Sequence, residues 1–455
     1  MAEKNETTHD DQNENEKTQN CNGDDGHDSE SESESENQSE NTHIDQETDD
    51  EDESTSSVEM KRKKKEALLG LRCKVEDAIR GNYLMGGRAG KNQLLAKERE
   101  QLEDITLWGV PLLPTKGHAG TDDVLLKFLR AKDLKVSEAF EMLQKTLRWR
   151  REYQTDMILE EKLGSHHLEN VVCMKSRDRV GRPVCYVKYG AFKDREFYRK
   201  IYGTEEKCNK FVRWRIQCME KCIEEMSFES GGVNSIVQIS DLNNSPRQKV
   251  KELRYVRKKT MMLLHDNYPE LIHKFIIINV PFWYRASHLL LSRFFSPRMK
   301  KKFVFAKPSE VTKTLIKFIA PENLPVQYGG LMRENDADFT PAEKASELII
   351  KGKSTGFIEF PVTEAGVTMV WDITVVGWDV SLKEQFIPND EGSYKILIRN
   401  QKKMGESVRN SFYICETGRV VITIHNDTFK KRRVLYRSKA KPTLPIYHSS
   451  PCLSS

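Results

Sequence analysis

The sequence predicts a multi-domain protein with a disordered acidic N-terminus, an α-helical bundle, an α/β domain with a mainly parallel sheet, and an all-β sandwich. The first observation is charge separation: residues 1–60 hold 22 Asp and Glu against two Lys, a net charge of −20, whereas the other 395 residues sum to +24. The second is hydrophobic periodicity. Apolar residues recur at helical spacing before residue 150, form short runs between helical stretches from residue 170, and alternate with polar residues from residue 367.

The N-terminal segment, residues 1–60, is predicted to be a disordered tail. It consists of Asp, Glu, Ser, Asn and Thr with almost no large apolar residue, and it includes four Ser-Glu pairs at residues 29–36. Such a segment cannot bury enough apolar surface to offset the entropy lost on ordering. The tail either only solvates the protein, or it is phosphorylated or shields the basic remainder.

Residues 61–106 are predicted to form a basic helical segment and a linker. The sequence KRKKK at residues 61–65 precedes apolar residues at approximately helical spacing, and glycines follow over residues 81–90. A basic amphipathic helix of this kind can contact anionic lipid. An ordinary surface helix, or a nuclear-import-like patch, explains the pattern equally well.

The next two segments are predicted as N-terminal helices over residues 107–165 and an α/β domain over residues 166–335. In the first segment, apolar residues from Val124 to Leu147 recur at helical spacing. In the second, helices alternate with short strands, as in a mainly parallel sheet. The strands are expected near residues 171–174, 183–187, 233–239, 275–280 and 303–306.

Residues 336–445 are predicted to form the β-sandwich, with residues 446–455 as a tail. Alternation from Val367 changes phase at Gly377, which indicates a β-bulge at the glycine. The segment around Phe412 is expected to form a hairpin with the segment around Ile422.

Motifs for catalysis, metal binding or cofactor binding are not convincing, so we predict a non-enzymatic protein without metal or cofactor. Residues 352–356 match the bare pattern G-x-S-x-G around Ser354. That motif needs a strand before the serine and a helix after it, whereas here a helical stretch is expected to end at residue 350 and extended chain to follow. An enzyme built on Ser354 is therefore the weakest hypothesis. His166 and His167 are adjacent and would point to different sides of a regular element.

The basic folded part should prefer anionic partners, and phosphates of nucleic acids and of the cytoplasmic leaflet attract the same charge. Aromatic residues interleaved with basic runs are sparse, so no nucleic-acid partner is expected. No secretory signal and no run of roughly 18–20 apolar residues is found, which predicts a cytoplasmic, peripheral membrane protein. Cys452 stands fourth from the end, as in prenylated proteins, but Ser454 is not aliphatic.

Residues 282–295 form the most unusual segment, because this predicted helix is apolar on more than one face and is followed directly by basic residues. Such a helix suits a lid that covers acyl chains and meets anionic headgroups at its cationic end. A buried core helix with a solvated basic turn is an equal alternative.

Five motifs in order resemble the CRAL-TRIO family of lipid-binding proteins. They are LLKFLRAK through LRWR at residues 125–150, GRPV at 181–184, DNYPE at 266–270, IINVP at 277–281 and LPVQYGG at 324–330. The β-rich end resembles the GOLD domain fused to CRAL-TRIO in plant patellins, through GWDV at 377–380, NSF at 410–412 and YR at 436–437. The whole chain therefore resembles the patellin family.

This resemblance implies a lipid held in a deep apolar pocket beneath a gate helix. The gate side chains would be Phe282, Trp283, Leu289, Leu290, Phe294 and Phe295. In the family, a basic pair, the Glu of Tyr-Pro-Glu, and a Thr and Lys after the gate hold the headgroup. Those positions fall on Lys132, Asp133, Glu270, Met299 and Lys302. Lys132, Glu270 and Lys302 keep suitable chemistry, whereas an acid repels phosphate and a thioether donates no hydrogen bond.

The implied function is binding and transfer of phosphoinositides and other membrane lipids in membrane trafficking, in patellins around the forming cell plate. The GOLD domain would contact protein partners, and basic surface residues would contact the anionic membrane. We assign that role to Arg298, Lys300, Lys301, Lys430, Lys431, Arg432 and Arg433. The alternatives are a scaffold with a purely structural pocket and a basic nucleic-acid-binding protein.

Overall fold

The N-terminal part of the fold is a helical bundle. The computed structural model describes residues 55–85, 104–164, 168, 171–229, 231–245, 251–281, 284, 297–377, 379–405 and 407–442. Its first elements are α1 (Thr55–Arg80), β1 (Thr106–Leu107), β2 (Val110–Pro111), α2 (Gly120–Ala131) and α3 (Val136–Tyr153). Helix α1 begins inside the segment that we assigned to the acidic tail. Leu71 and Val75 of its apolar stripe are buried in the protein core, whereas Leu69 is exposed.

The α/β domain follows as a five-stranded sheet. Its strands are β3 (Val172–Arg177), β4 (Pro183–Lys188), β5 (Ile236–Asp241), β6 (Ile272–Ile278) and β7 (Phe303–Phe305), in the order β3-β4-β5-β6-β7. Only the β3–β4 pair is antiparallel, so the prediction of a mainly parallel sheet is confirmed. The helices are α4 (Arg195–Tyr202), α5 (Glu205–Glu224), α6 (Lys251–Asn267), α7 (Pro297–Lys301) and α8 (Val311–Leu315).

The two faces of this sheet have different neighbours. One face, with Val184, Val237 and Ile276, packs in a core that includes α8 and Leu435 of the β-sandwich. The opposite face, with Cys185, belongs to the larger core that also contains the buried side of α5. This second face carries the candidate site.

The C-terminal β-sandwich consists of two four-stranded antiparallel sheets, ordered β13-β10-β15-β8 and β12-β11-β14-β9. The strands are β8 (Ser346–Ile350), β9 (Ser354–Val362), β10 (Val367–Val376), β11 (Ser381–Pro388), β12 (Ile396–Gln401), β13 (Val408–Ile414), β14 (Gly418–Asn426) and β15 (Arg432–Pro442). The predicted sandwich is thus confirmed. Its core centres on Trp371 and Phe386, which are both fully buried.

Three local predictions in the sandwich were wrong. Gly377, with φ of +97°, forms a turn between β10 and β11 and not a bulge, and the two strands belong to different sheets. Strands β13 and β14 also belong to different sheets and do not form the expected hairpin. The stretch expected to end a helix at residue 350 is strand β8.

A network of buried charges joins the sandwich to the end of the α/β domain. The fully buried Asp372 accepts hydrogen bonds from Arg409 at 2.6 Å, from Arg437 at 3.0 Å and from Arg333 at 3.2 Å. Arg437 also donates to the carbonyl of Leu331 at 2.8 Å. Buried charges must be paired and hydrogen-bonded to be tolerated, and here one carboxylate serves three guanidinium groups across the junction.

Candidate functional site

The inner face of the α/β sheet presents a row of side chains that runs from polar to aromatic. Cys185 on β4, Gln238 on β5, Phe275 on β6 and Phe303 on β7 are successive register partners, so they share one face. The rings of Phe275 and Phe303 stack with centroids 5.0 Å apart, and Phe305 lies 6.3 Å beyond Phe303. All three rings are partly exposed although they lie on strands of a type that is normally covered on both faces.

Arg215 on α5 lies at the polar end of this row. Its side chain is only 8% exposed, and its Nη1 atom has no hydrogen-bond partner. Across the described ranges, no carboxylate forms an ion pair with its guanidinium, and the Cys185 thiol lies near this charge. Interaction with the Cys222 thiol lowers the pKa of the Cys185 thiol, burial opposes this shift, and Arg215 adds to it.

A buried guanidinium without a full counter-charge costs several kcal/mol unless a ligand supplies the missing partner. Next to it, the amide of Gln238 makes no side-chain hydrogen bond with any described residue. The row therefore offers a cationic and amide end beside an aromatic floor. That arrangement is complementary to an amphiphile with an anionic or polar head and an apolar chain.

A second polar cluster lies where β6 and β7 begin. Glu270 precedes β6, and its Oε2 accepts hydrogen bonds from Lys302 at 2.9 Å and from Arg298 at 3.3 Å. Burial opposes ionisation of Glu270, but the two cations outweigh it and hold the pKa of its carboxyl below the ordinary value. The structure thus brings together two of the three headgroup residues expected from the sequence.

Lys127 on α2 supports this cluster, and sequence reasoning did not identify it. Its buried ammonium donates to the carbonyl of Asn234 at 2.7 Å and to that of Glu270 at 3.3 Å. Glu270 has φ of +55°, a conformation that costs free energy in a residue other than glycine, and the bond from Lys127 helps to hold it. Burial lowers the pKa of Lys127 to about 7. The sequence does indicate that Lys127 is on the buried face of its helix, because it lies at helical spacing with the apolar Val124 and Ala131.

Lys132, the third expected headgroup residue, ends α2 and is half-buried. No hydrogen bond or ion pair between described residues joins it to Glu270 or Lys302. The structure therefore does not bring Lys132 into the cluster.

The expected gate residues lie outside the described part of the chain. They are Phe282, Trp283, Leu289, Leu290, Phe294 and Phe295. Tyr284 of the same segment is described, and burial raises the pKa of its hydroxyl. The gate therefore stays a prediction.

The basic residues expected at the membrane surface fall into two groups. Lys300, Lys301, Lys430 and Lys431 are exposed and form no ion pair within the described ranges. The other three pair with carboxylates: Arg298 with Glu270, Arg432 with Asp379 and Arg433 with Glu347.

The described residues contain neither a candidate metal site nor a membrane-spanning helix. No group of three His, Cys, Asp or Glu side chains is placed to hold a metal ion. No helix in that part of the chain is both long and apolar enough to cross a bilayer.

Three family models match consecutive parts of the chain. They are the CRAL/TRIO N-terminal domain over residues 92–145, the CRAL/TRIO domain over residues 169–330, and the C-terminal GOLD domain of the Patellin-1-like type over residues 351–432. The matches follow the order of the helical bundle, the five-stranded sheet and the β-sandwich.

The chain is also similar to individual proteins. It is 46% identical to Patellin-4 of Arabidopsis thaliana over 74% of this chain and 62% of that protein, which is less than two thirds of the relative's length. It is 30% identical to the SEC14 cytosolic factor of Eremothecium gossypii over 48% of this chain and 71% of that protein. Patellin-6 of Arabidopsis thaliana is 43% identical over 72% of this chain and 80% of that protein. Given this coverage and the order of its domains, the chain belongs to the patellin family.

Proposed function

We propose that the chain binds one membrane lipid in its CRAL/TRIO domain and transfers it between membranes without catalysing a reaction. The observation that carries this proposal is the row on the inner sheet face, with Arg215 and Gln238 at one end and the partly exposed rings of Phe275 and Phe303 at the other. An amphiphile needs only the two ends that this row supplies.

Acyl chains fit the aromatic end of the row. Each methylene group moved from water onto this floor contributes about 0.8 kcal/mol, so a chain of ordinary length outweighs the entropy of its immobilisation. Residues 282–295, predicted as the gate, would close over the chain. Opening of that segment at a membrane would then exchange the lipid, without covalent chemistry.

We propose that phosphoinositides are among the ligands and that Glu270 and Lys302 hold their inositol phosphates, as a second headgroup site besides the polar end formed by Arg215 and Gln238. Lys132, the third headgroup residue expected from the sequence, lies outside this cluster and could contribute only after a rearrangement. The ion pair between Lys302 and Glu270 supports the assignment, because Lys302 is held at the entrance of β7 where a phosphate could share it. Asp133 and Met299 stand where the family has a base and a hydroxyl. The headgroup preference of this chain should therefore differ from that of transfer proteins that keep both groups.

The proposed cellular setting rests on the net charge of the chain and on the name of one relative. The net charge of +24 outside the acidic tail favours peripheral binding to the anionic cytoplasmic leaflet. The relative named SEC14 cytosolic factor supports a cytoplasmic location. We propose a role in membrane trafficking, including work at the forming cell plate, with protein partners bound through the GOLD domain.

Two measurements test the proposal. Mass spectrometry of purified protein should find co-purified membrane lipid, and the protein should move phosphatidylinositol between vesicles. Replacement of Lys302 by Ala should slow that transfer roughly tenfold, because a charge-assisted hydrogen bond is worth about 1.5–3 kcal/mol. Lys300→Ala is the matched control, since Lys300 lies in the same short segment but is exposed and does not pair with Glu270.

Protein that carries no lipid in repeated preparations would overturn the proposal in favour of a scaffold with a structural pocket. Equal transfer by Lys302→Ala and Lys300→Ala would contradict the headgroup assignment alone. Tighter binding to RNA than to anionic vesicles would favour the nucleic-acid alternative.

A further inference from the structure

Phe429 is an unusually exposed aromatic residue in the turn between β14 and β15 of the GOLD domain. Its side chain is 88% exposed, so it contributes almost nothing to the sandwich core. A single exposed apolar residue is common on protein surfaces and needs no explanation by itself. Its surroundings distinguish Phe429.

The turn that carries Phe429 is fixed to the neighbouring turn between β8 and β9. The backbone N–H of Lys353 donates to the carbonyl of Thr428 at 2.9 Å. The fully buried Asn426 donates to the carbonyls of both Lys351 and Lys430, each at 2.9 Å. Phe429 is therefore held away from the core by a hydrogen-bonded base and is not merely the end of a loose loop.

The backbones of the two turns also touch. A Cβ atom at Gly352 would lie 2.3 Å from the carbonyl oxygen of Phe429, so only glycine permits this approach. We call the resulting surface the basic tip, and define it by Lys351, Lys353, Phe429, Lys430 and Lys431.

The positive charge of the basic tip is not neutralised. None of its four lysines forms an ion pair with any carboxylate in the part of the chain that the structure describes. The Lys353 ammonium lies 4.7 Å from the centre of the Phe429 ring. The one acidic residue of the turn, Asp427, contacts His425 at 3.0 Å.

Basic residues just beyond the tip contrast with it. Arg432 pairs with Asp379 and Arg433 with Glu347, and further along β15 Lys439 pairs with Glu343. Free positive charge on this strand and its turn is therefore concentrated around the protruding ring.

We propose that the basic tip docks the GOLD domain on an anionic bilayer, with the Phe429 ring inserted among the lipid headgroups and the four lysines against their phosphates. An aromatic ring gains free energy in the interfacial layer of a bilayer. Each lysine near an anionic leaflet adds attraction that salt weakens. The contact requires no lipid in the CRAL/TRIO pocket, although its purpose rests on the proposed transfer function.

The shape of the tip favours a bilayer over an acidic protein. Strong protein–protein contacts place an aromatic anchor in a well-packed pocket of the partner and surround it with residues that exclude water. Flexible lysines around one protruding ring form no such packed rim. A fluid lipid surface accepts a convex wedge without a preformed pocket.

The test compares Phe429→Ala with a matched control, Tyr394→Ala. Tyr394 is 90% exposed, and it lies beyond β11, whose last residue Pro388 pairs with Gly418 at the opposite end of β14 from the tip. Binding is measured by sedimentation with phosphatidylcholine vesicles, either pure or with about a quarter of the lipid as phosphatidylserine. On the anionic vesicles we expect Phe429→Ala to bind roughly tenfold more weakly than the unchanged chain, and Tyr394→Ala to bind equally well.

Insertion of the ring is measured with Phe429→Trp and Tyr394→Trp. Brominated acyl chains should quench the additional fluorescence of Phe429→Trp but not that of Tyr394→Trp. Equal sedimentation of Phe429→Ala and the unchanged chain would overturn the proposal. So would loss of binding to an immobilised acidic peptide without loss on the anionic vesicles.

The amount of co-purified lipid separates this proposal from the transfer function. Phe429→Ala should retain as much lipid as the unchanged chain. A chain that carries no lipid but sediments in a Phe429-dependent manner would refute the transfer function and leave the basic tip supported. Lipid-loaded protein that sediments equally well with and without the Phe429 side chain would refute the basic tip and leave the transfer function supported.

Discussion

Replacement of Arg215 by Met should stabilise the lipid-free protein and at the same time weaken its hold on anionic lipids. Met is unbranched and apolar, and it is close to Arg in length, so it can occupy the same space. Replacing buried charges with apolar residues of similar volume often raises the free energy of unfolding by about 1–4 kcal/mol. We expect the gain for Arg215→Met to lie within that range, because no carboxylate among the described residues is left unpaired by the substitution.

Arg150 provides the control for this experiment. It is also 8% exposed, but its guanidinium donates to Glu220 at 2.7 and 3.3 Å. Arg150→Met leaves the buried carboxylate of Glu220 without its guanidinium partner, although the Tyr268 hydroxyl still donates to it. The free energy of unfolding should therefore fall by about 3–5 kcal/mol. Two arginines of equal burial should thus respond to one substitution with opposite signs.

Urea denaturation of delipidated protein, followed by circular dichroism, gives the change in the free energy of unfolding for each variant. Mass spectrometry of the native protein gives the amount of anionic lipid retained, which should fall about tenfold in Arg215→Met if one charge-assisted contact is lost. Destabilisation of Arg215→Met to the same extent as Arg150→Met would show that Arg215 is structural. Unchanged retention of anionic lipid would refute the role given to the polar end of the row.

Two further predictions concern the junction between the domains. Asp372→Asn removes the charge shared by Arg409 and Arg437 and should lower the free energy of unfolding, measured in urea, by about 3–5 kcal/mol. The control Asp379→Asn changes a half-exposed ion pair and should lower the free energy of unfolding by less than about 1 kcal/mol. Equal effects of the two substitutions would contradict the role given to the buried charge network. For Asp336, burial opposes ionisation, but bonds from Arg409 and two backbone N–H groups outweigh it and hold the carboxyl pKa below its ordinary value. The ionised carboxyl therefore stabilises the fold fully above its unfolded-state pKa of about 3.9, and this stabilisation is lost as the pH falls towards the folded-state pKa. The melting temperature should accordingly decrease in acid. In Asp336→Asn this decrease should be smaller. An Asp336→Asn variant with an undiminished drop would refute this assignment.

Local sequence patterns predicted the order of the domains and the parallel sheet, because each strand is a short apolar run. The cluster of Glu270 with Lys302 was predicted only by the resemblance to the CRAL-TRIO family. Arg215 was missed although it lies at helical spacing with Phe211 and Cys222 on the buried side of α5. Whether a polar residue on such a face has a partner depends on the strand packed against it, and that information is not local.

The errors in the sandwich have a related cause. Apolar and polar residues alternate along β13 and β14, on either side of residues 415–417, because both strands point their apolar side chains into one core. This alternation does not reveal which strands share a sheet. The phase change at Gly377 was real, but it marks a crossing between sheets, which the positive φ of the glycine permits. Pairing is decided by contacts with β10, β11 and β15, which are distant in sequence.

Strand β15 connects the basic tip to the five-stranded α/β sheet. It begins directly after Lys431, and its residue Leu435 is buried in the core beneath the α/β sheet, about 13 Å further at the rise of an extended strand. Two residues later, Arg437 joins the junction through Asp372 and the carbonyl of Leu331. Only the first few residues of this strand separate the tip from the part that is packed against the α/β sheet, so the two should move together. Docking at Phe429 would therefore influence the orientation of the CRAL/TRIO domain towards the membrane.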